Sequence, residues 1–385
     1  MHSVAGSARP EYLKAVSDPI TDGWVIRITD RGAFGINETV KHGYAKHQPW
    51  NADGSLIMLP DWPSWIIDGR DYRLLRTWHG PDQGLWSNLD PNIVYGVLHQ
   101  SGKPPAFARG DVRTDWSAFD SGRLYEFPEF DEIDLGGGEG NLSADDRYVA
   151  IFGKRGGSSE LIVFDIRNNR VHARRSYPGL SAGAGRDIDN ATMSPSGNWV
   201  IVQFDSAHDG RPPGTELFDK DLNFVRRISD RDGSHGDVGV DADGYEVWVM
   251  PSDTASETLH STRLSDGHRR AELTSSRVGR SGHHISCRNR NQPGWCYVSG
   301  HALANSNDNV DSRSEPWRSV LAIRLDGTGY VRKVADTRHA SGISNREYER
   351  SPMAVPDRDG KRVLWASDWL DAGSSAQVHV YVGGF

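Results

Sequence analysis

The stretch Asp237-VGVDADGYEVWVM, residues 237–250, decides the fold. It reads as a short strand, a tight turn and an apolar strand. Asp-Gly at 243–244 accepts the positive φ that a tight hairpin loop needs. Six more stretches repeat the pattern: His47-QPWNADGSLIML, Trp86-SNLDPNIVYGV, Glu139-GNLSADDRYVAIF, Asn190-ATMSPSGNWVIVQF, His284-ISCRNRNQPGWCYV and Pro352-MAVPDRDGKRVLWAS. Most pairs lead into two further strand-like runs, such as ELIVFDI and VHARRSY after the third, and PPAFARGDVRTDW after the second reads partly as loop. Recurring four-stranded antiparallel units with almost no helical periodicity predict an all-β, seven-bladed β-propeller.

The blades are expected to start near 47, 86, 139, 190, 237, 284 and 352, within one propeller domain covering 1–385. After QVHVYVG the seventh blade lacks a fourth strand. GWVIRIT at 23–29 is expected to supply it, so that an N-terminal strand at 21–30 closes the ring behind an extension at 1–20. Residues 10–16 read as one or two helical turns. The segments 102–122, 180–186 and 303–316 read as loops on one face.

The formal net charge of −8 over 385 residues argues against a general nucleic-acid binder. No apolar run is long enough to cross a membrane. The first residues show no secretory leader, which leaves a cytoplasmic protein or a mature secreted or periplasmic form as the readings. A monomer is expected. Cys287 and Cys296 fall on the two strands of one hairpin, where a cross-strand disulfide and two buried thiols both fit. Thirteen tryptophans serve blade packing or stack on sugars.

In a propeller the starts of the inner strands and the ends of the second strands meet at one face of a central channel. The starts give His47, Trp86, Glu139, Asn190, Asp237, His284 and Pro352, with His235, His283 and Arg350 beside them. The second-strand ends give Arg155, His208, His301 and Trp369 among others. Most of these are polar, aromatic or ionisable, which suits a ligand site. His47, His235 and His284 are the candidate catalytic residues, with Arg350 to neutralise a substrate carboxylate. Trp86, Glu139, Asn190, Arg155, His208, His301 and Trp369 are candidate substrate contacts. His284 and Asp237 are candidate ligands of a divalent metal such as calcium, manganese or zinc.

Two chemistries fit that set. One is metal binding. The other is removal of the acidic C5 proton of a uronate by a His or Tyr base, with an acid protonating the leaving oxygen. A glycosidase would instead need a carboxylate pair, for which Glu139 and Asp237 are the candidates. No G-x-S-x-G elbow or P-loop occurs, and Gly136-GGEG precedes a strand rather than a helix.

The stretches HQPWNADGSLI, SHGDVGVDADGYEVWV, GHHISCRNRNQPGWCYVSGH and SPMAVPDRDGKRVLWASDW resemble the seven-bladed propeller polysaccharide lyases, which include oligogalacturonate lyases and ulvan lyases. The resemblance implies β-elimination on an acidic polysaccharide or oligosaccharide. Related propellers cleave rhamnose–glucuronate linkages, some by hydrolysis. A non-catalytic binding propeller of the TolB type is the reading from another class. The oligogalacturonate lyases place histidines at the start of the last blade, and here that position reads Ser351-Pro352-Met353 after Arg350.

Overall fold

A computed structural model describes residues 8–18, 21–36, 40–61, 63–114, 122–230, 235–251, 257–274, 283–300, 318–339, 350–371 and 377–385. Seven antiparallel sheets form a seven-bladed propeller. Blade 5 holds the opening stretch: Asp237–Val240 pairs with Glu246–Pro251, followed by Glu257–Arg263 and Arg269–Thr274. Its hairpin turn is fixed by Asp241, whose Oδ1 accepts from the amides of Asp243 (3.0 Å) and Tyr245 (2.9 Å). Gly244 there takes φ 86°, a conformation that costs other residues more.

Blades 2, 3, 4 and 6 start their inner strands at Asp82–Trp86, Glu132–Asp134, Ile188–Met193 and His283–Ser286. Blade 1 has three strands (Leu56–Leu59, Ser64–Asp68, Leu74–Trp78), and Trp50 bridges to Ile57 on the inside. The partly loop-like stretch of the second blade contains a regular strand, Ala106–Asp111, paired residue for residue with Ile93–Leu98.

The ring closes as expected. Gly23–Arg27 pairs antiparallel with His379–Gly384, so blade 7 is built from both ends of the chain. Residues 10–16 are not helical. Tyr12 bridges to Arg27, and Val16–Asp18 adds a fifth strand outside Gly23–Arg27. An isolated helix of one or two turns is unstable, and the open edge of the closing strand offers unpaired amides and carbonyls to this segment instead. The short α-helix Arg31–Phe34 is capped by Asp30, whose Oδ1 accepts from Gly32 (3.0 Å) and Ala33 (3.2 Å).

Packing follows the two-residue period of the strands. In Tyr148–Arg155, Ala150 and Phe152 face blade 4, while Val149 and Ile151 face blade 2. Both faces of a blade are buried, so the second strands read as continuous apolar runs. Cys287 and Cys296 are disulfide-bonded, with Cα atoms 4.4 Å apart. The bond joins the end of the inner strand of blade 6 to the start of its second strand. A Cβ at Gly239 of blade 5 would lie 2.9 Å from the Cβ of Cys287, which explains a residue without a side chain there. Among the described residues no helix is long and apolar enough to cross a membrane.

Candidate active site in the channel

The segment 41–48, just before the inner part of blade 1, runs across the channel and touches several other blades. His42 Nε2 lies 2.7 Å from the Met353 carbonyl of blade 7. The Tyr44 hydroxyl lies 2.8 Å from His235 Nδ1 of blade 5. Lys46 Nζ lies 2.7 Å from Glu139 Oε2 of blade 3. Gln48 donates to the carbonyls of Arg288 (3.1 Å) and Pro356 (3.0 Å), in blades 6 and 7. A turn with His47 N donating to Tyr44 O (2.9 Å) sets the spacing of these side chains.

Tyr44, His235 and His284 form a compact group. The two imidazole centroids are 4.5 Å apart at 79°, and the Tyr44 ring meets His284 edge-on at 5.4 Å. His284 is fully buried, whereas Tyr44 and His235 are half-buried. His235 has φ 71°. A left-handed backbone at a non-glycine residue is costly and collects at functional sites. Its carbonyl accepts from Ile285 N (3.2 Å), which fixes it against blade 6.

A second group adjoins the first through Lys46. The Lys46 ammonium is buried, 5.6 Å from the centroid of the Tyr44 ring and 5.7 Å from that of Trp248. Glu139 Oε2 also accepts from Asn190 Nδ2 (3.2 Å), which reaches Asp189 Oδ2 as well (3.0 Å). Burial pushes the Asp189 carboxyl up. The Gly185 amide opposes the shift, and the negative charge of Glu139 adds to it. Glu139 reaches the channel because the inner strand of blade 3 is interrupted by the 3-10 turn Gly136–Gly138. All three glycines have positive φ, and a Cβ at Gly136 would collide with the Ala191 carbonyl of blade 4. The glycine run is therefore a fitted insertion.

The structure thus brings His235, His284, Glu139 and Asn190 to the channel. His47 is near as well. Burial pulls its imidazole down to about 4, helped by the charges of Arg288 and Lys46. The other candidates are placed elsewhere. Arg350 is buried, with Nη1 3.1 Å from Asp368 Oδ2. Trp86 closes the inner strand of blade 2 instead of opening it, and its indole donates to the Pro49 carbonyl (2.9 Å) from within the core. His208 stacks on Phe204 at 3.5 Å and lies 3.1 Å from Glu216. Trp369 is 8% exposed and stacks on Tyr381 at 4.8 Å, so it offers no face to a sugar. Arg155 donates to the Glu129 carbonyl and lines a peripheral groove with Lys154 and Arg186. His301 lies outside the described residues. Tyr44 and Lys46 are absent from the sequence-based set, although they stand only three and one positions before His47.

Asp237 is fully buried and committed elsewhere. Its Oδ1 lies 2.7 Å from Arg288 Nη2 and its Oδ2 3.0 Å from Arg288 Nε. The same oxygens accept from the amides of Val238 (2.8 Å) and Cys287 (2.7 Å). A carboxylate with four such donors has little left for a metal. Among the described residues no group of three or more His, Cys, Asp or Glu side chains gathers to hold an ion. The described residues therefore do not fit the expected divalent metal, and no chemical step is routed through one.

No family profile matches the sequence, and no curated protein matches it. Solved structures do match. An oligogalacturonate lyase in complex with manganese is 14% identical and superposes with a TM-score of 0.66, over 99% of this chain and 98% of that one. An oligogalacturonate lyase from Vibrio parahaemolyticus is 11% identical, with a TM-score of 0.64 over 96% of each. The chain has the fold of the propeller lyases. TolB from Acinetobacter baumannii overlaps more loosely, with a TM-score of 0.41. At these identities the likeness is one of fold, and function must be argued from the site.

The buried imidazoles make stability depend on pH. His42 is pulled down to about 3 by burial and then by Lys41, and His379 to about 4 by burial and then by Arg27 and Arg9. An unfolded histidine titrates near 6.5. Between these values the unfolded chain binds protons that the folded chain refuses, so stability falls as pH falls through this window. Each fully buried imidazole is expected to contribute roughly 3 kcal/mol to the loss by about pH 4. Urea midpoints at about pH 7 and about pH 4.5 check this, and equal midpoints would contradict it.

Proposed function

We propose that this propeller is a carbohydrate-active lyase that cleaves a uronate-containing polysaccharide or oligosaccharide by β-elimination. The observation that carries the reading is the Tyr44–His235 hydrogen bond at the channel, packed on His284. With Nδ1 of His235 accepting from the phenol, the imidazole can take the Tyr44 proton as the phenol oxygen removes H5 of the sugar. The nearby Lys46 ammonium stabilises negative charge on that ring. The C5 electron pair then forms the C4–C5 double bond, and the C4–O bond breaks. Asp189, held toward its protonated form by burial, is the candidate acid for the leaving oxygen. The lyase fold of the matched structures supports the same reading.

Arg350 is a poor carboxylate neutraliser while it is held by Asp368. The half-buried imidazole of His235, backed by the fully buried His284, is the better-placed donor for that task. Incubation with oligogalacturonate and with glucuronate-containing polysaccharides is expected to produce the ultraviolet absorbance of a C4–C5 unsaturated product. New reducing ends without that absorbance would overturn the lyase in favour of a hydrolase. No cleavage but saturable binding would favour a binding propeller.

A further inference from the structure

At the opposite end of the channel the hairpin turns of the blades close around a cavity of about 70 Å³. A water needs about 10–15 Å³ of such space, so the cavity holds several water-sized groups. Three arginines line it: Arg288 and Arg290 from blade 6, and Arg358 from blade 7. Asn88, Asn289 and Gln292 are beside them.

The three cations are not equivalent. Arg288 is neutralised by Asp237. Arg290 crosses the channel, and Nη1 donates to the Ala144 carbonyl of blade 3 (3.0 Å). Arg358 is 7% exposed and donates to the Asn51 carbonyl (3.1 Å), Asn88 Oδ1 (3.2 Å) and the Ser87 carbonyl (3.4 Å). Every one of these acceptors is neutral. Among the described residues neither Arg290 nor Arg358 forms an ion pair. The nearest carboxylates are otherwise engaged. Asp146 accepts from the Ser87 hydroxyl and the Asn88 amide, and Asp145 from the Ser143 hydroxyl and the Arg147 amide.

Buried charges in proteins are ordinarily paired. Two guanidiniums turned toward one polar cavity with only neutral acceptors make a cradle for negative charge. We propose that the floor of the channel binds a small tetrahedral oxyanion of phosphate or sulfate size, held chiefly by Arg290 and Arg358. The cavity volume suits an ion of about five heavy atoms. The Asn289 and Asn88 amides already donate to the carbonyls of Gln292, Trp295 and Ser143, and the Gln292 amide can donate to a remaining oxygen of the ion. Burial, the first cause for both residues, draws Arg290 down to about 9 and Arg358 to about 10; neighbouring arginines add to both shifts, and the Asp146 carboxylate opposes both. Both shifts are relieved by an anion. The site is independent of the chemistry proposed for the upper channel.

The test is titration of the whole chain with inorganic phosphate and, separately, sulfate, in a chloride buffer of constant ionic strength. Calorimetry and thermal unfolding are the readouts. The expected result is saturable binding at one site, with a melting temperature that rises with anion concentration. Arg290→Gln and Arg358→Gln should each weaken binding at least about tenfold, as removal of a charge-assisted contact does, whereas the exposed Arg113→Gln should not. A purely structural role for these arginines predicts that both variants lose stability equally with and without anion. That result, or the absence of saturable binding by the folded wild-type chain, would overturn the proposal. If either variant fails to fold, Arg358→Lys and Arg290→Lys keep the charge and should retain measurable but weaker binding.

Discussion

Tyr44→Phe is expected to lower turnover of a uronate substrate about 10²–10⁴-fold, the range for loss of a general base. The substitution removes one oxygen and keeps the ring. The edge-on contact with His284 and the packing against Lys46 survive, so the melting temperature and KM should stay near wild type. The loss should fall on kcat because the phenol acts when the C5 proton moves. His235→Ala should be about as damaging, and the double variant little worse than either single one, since the two residues work as a unit. A Tyr44→Phe enzyme with more than about a tenth of wild-type turnover would lie outside that range and would remove Tyr44 as the base.

Tyr44 also shows where sequence reading reached its limit. The propeller was legible because its signals are local: Asp-Gly and Ser-Gly turns and apolar runs follow from residues a few positions apart. His235 and His284 were legible for the same reason, since each stands at or beside the start of an inner strand. Tyr44 and Lys46 lie in a segment before the repeat. Nothing in the repeat pattern indicates that this segment crosses the channel to reach blades 3 and 5.

The misplaced candidates fail for a different reason. Alignment of repeats gives a position along a strand, but a shift of one residue turns a side chain to the other face. In blade 2 the register slips between Asp82 and Leu85, beside Gln83 with φ 53°. Trp86 is thereby carried to the end of the inner strand. His208, Arg350 and Trp369 come from regions that the repeats place at the correct face. Their side chains turn inward to Glu216, Asp368 and Tyr381, partners that lie 8 to 18 residues further along the sequence and outside the repeated motif.

Asp237→Ala is expected to destabilise the fold by about 3–5 kcal/mol, the penalty for leaving one member of a buried ion pair alone. Arg288 would lose both carboxylate contacts, and the amides of Val238 and Cys287 would lose their acceptor. Burial already pushes the Asp237 carboxyl up against the pull of Arg288, so desolvation is the dominant force here and only a partner offsets it. The pair also links blade 5 to blade 6 beside the disulfide, where Gly239 allows their inner strands to approach. Asp237→Ala combined with Arg288→Met should be milder than Asp237→Ala alone, because the Arg288 charge is then not left inside without its carboxylate. Urea denaturation of the two single variants and the double variant measures the coupling. The same set separates an ion-pair role from metal ligation. A ligand role predicts near-normal stability, with activity restored by excess divalent metal. The ion-pair role predicts lower stability at every metal concentration, and partial recovery only when Arg288 is replaced as well.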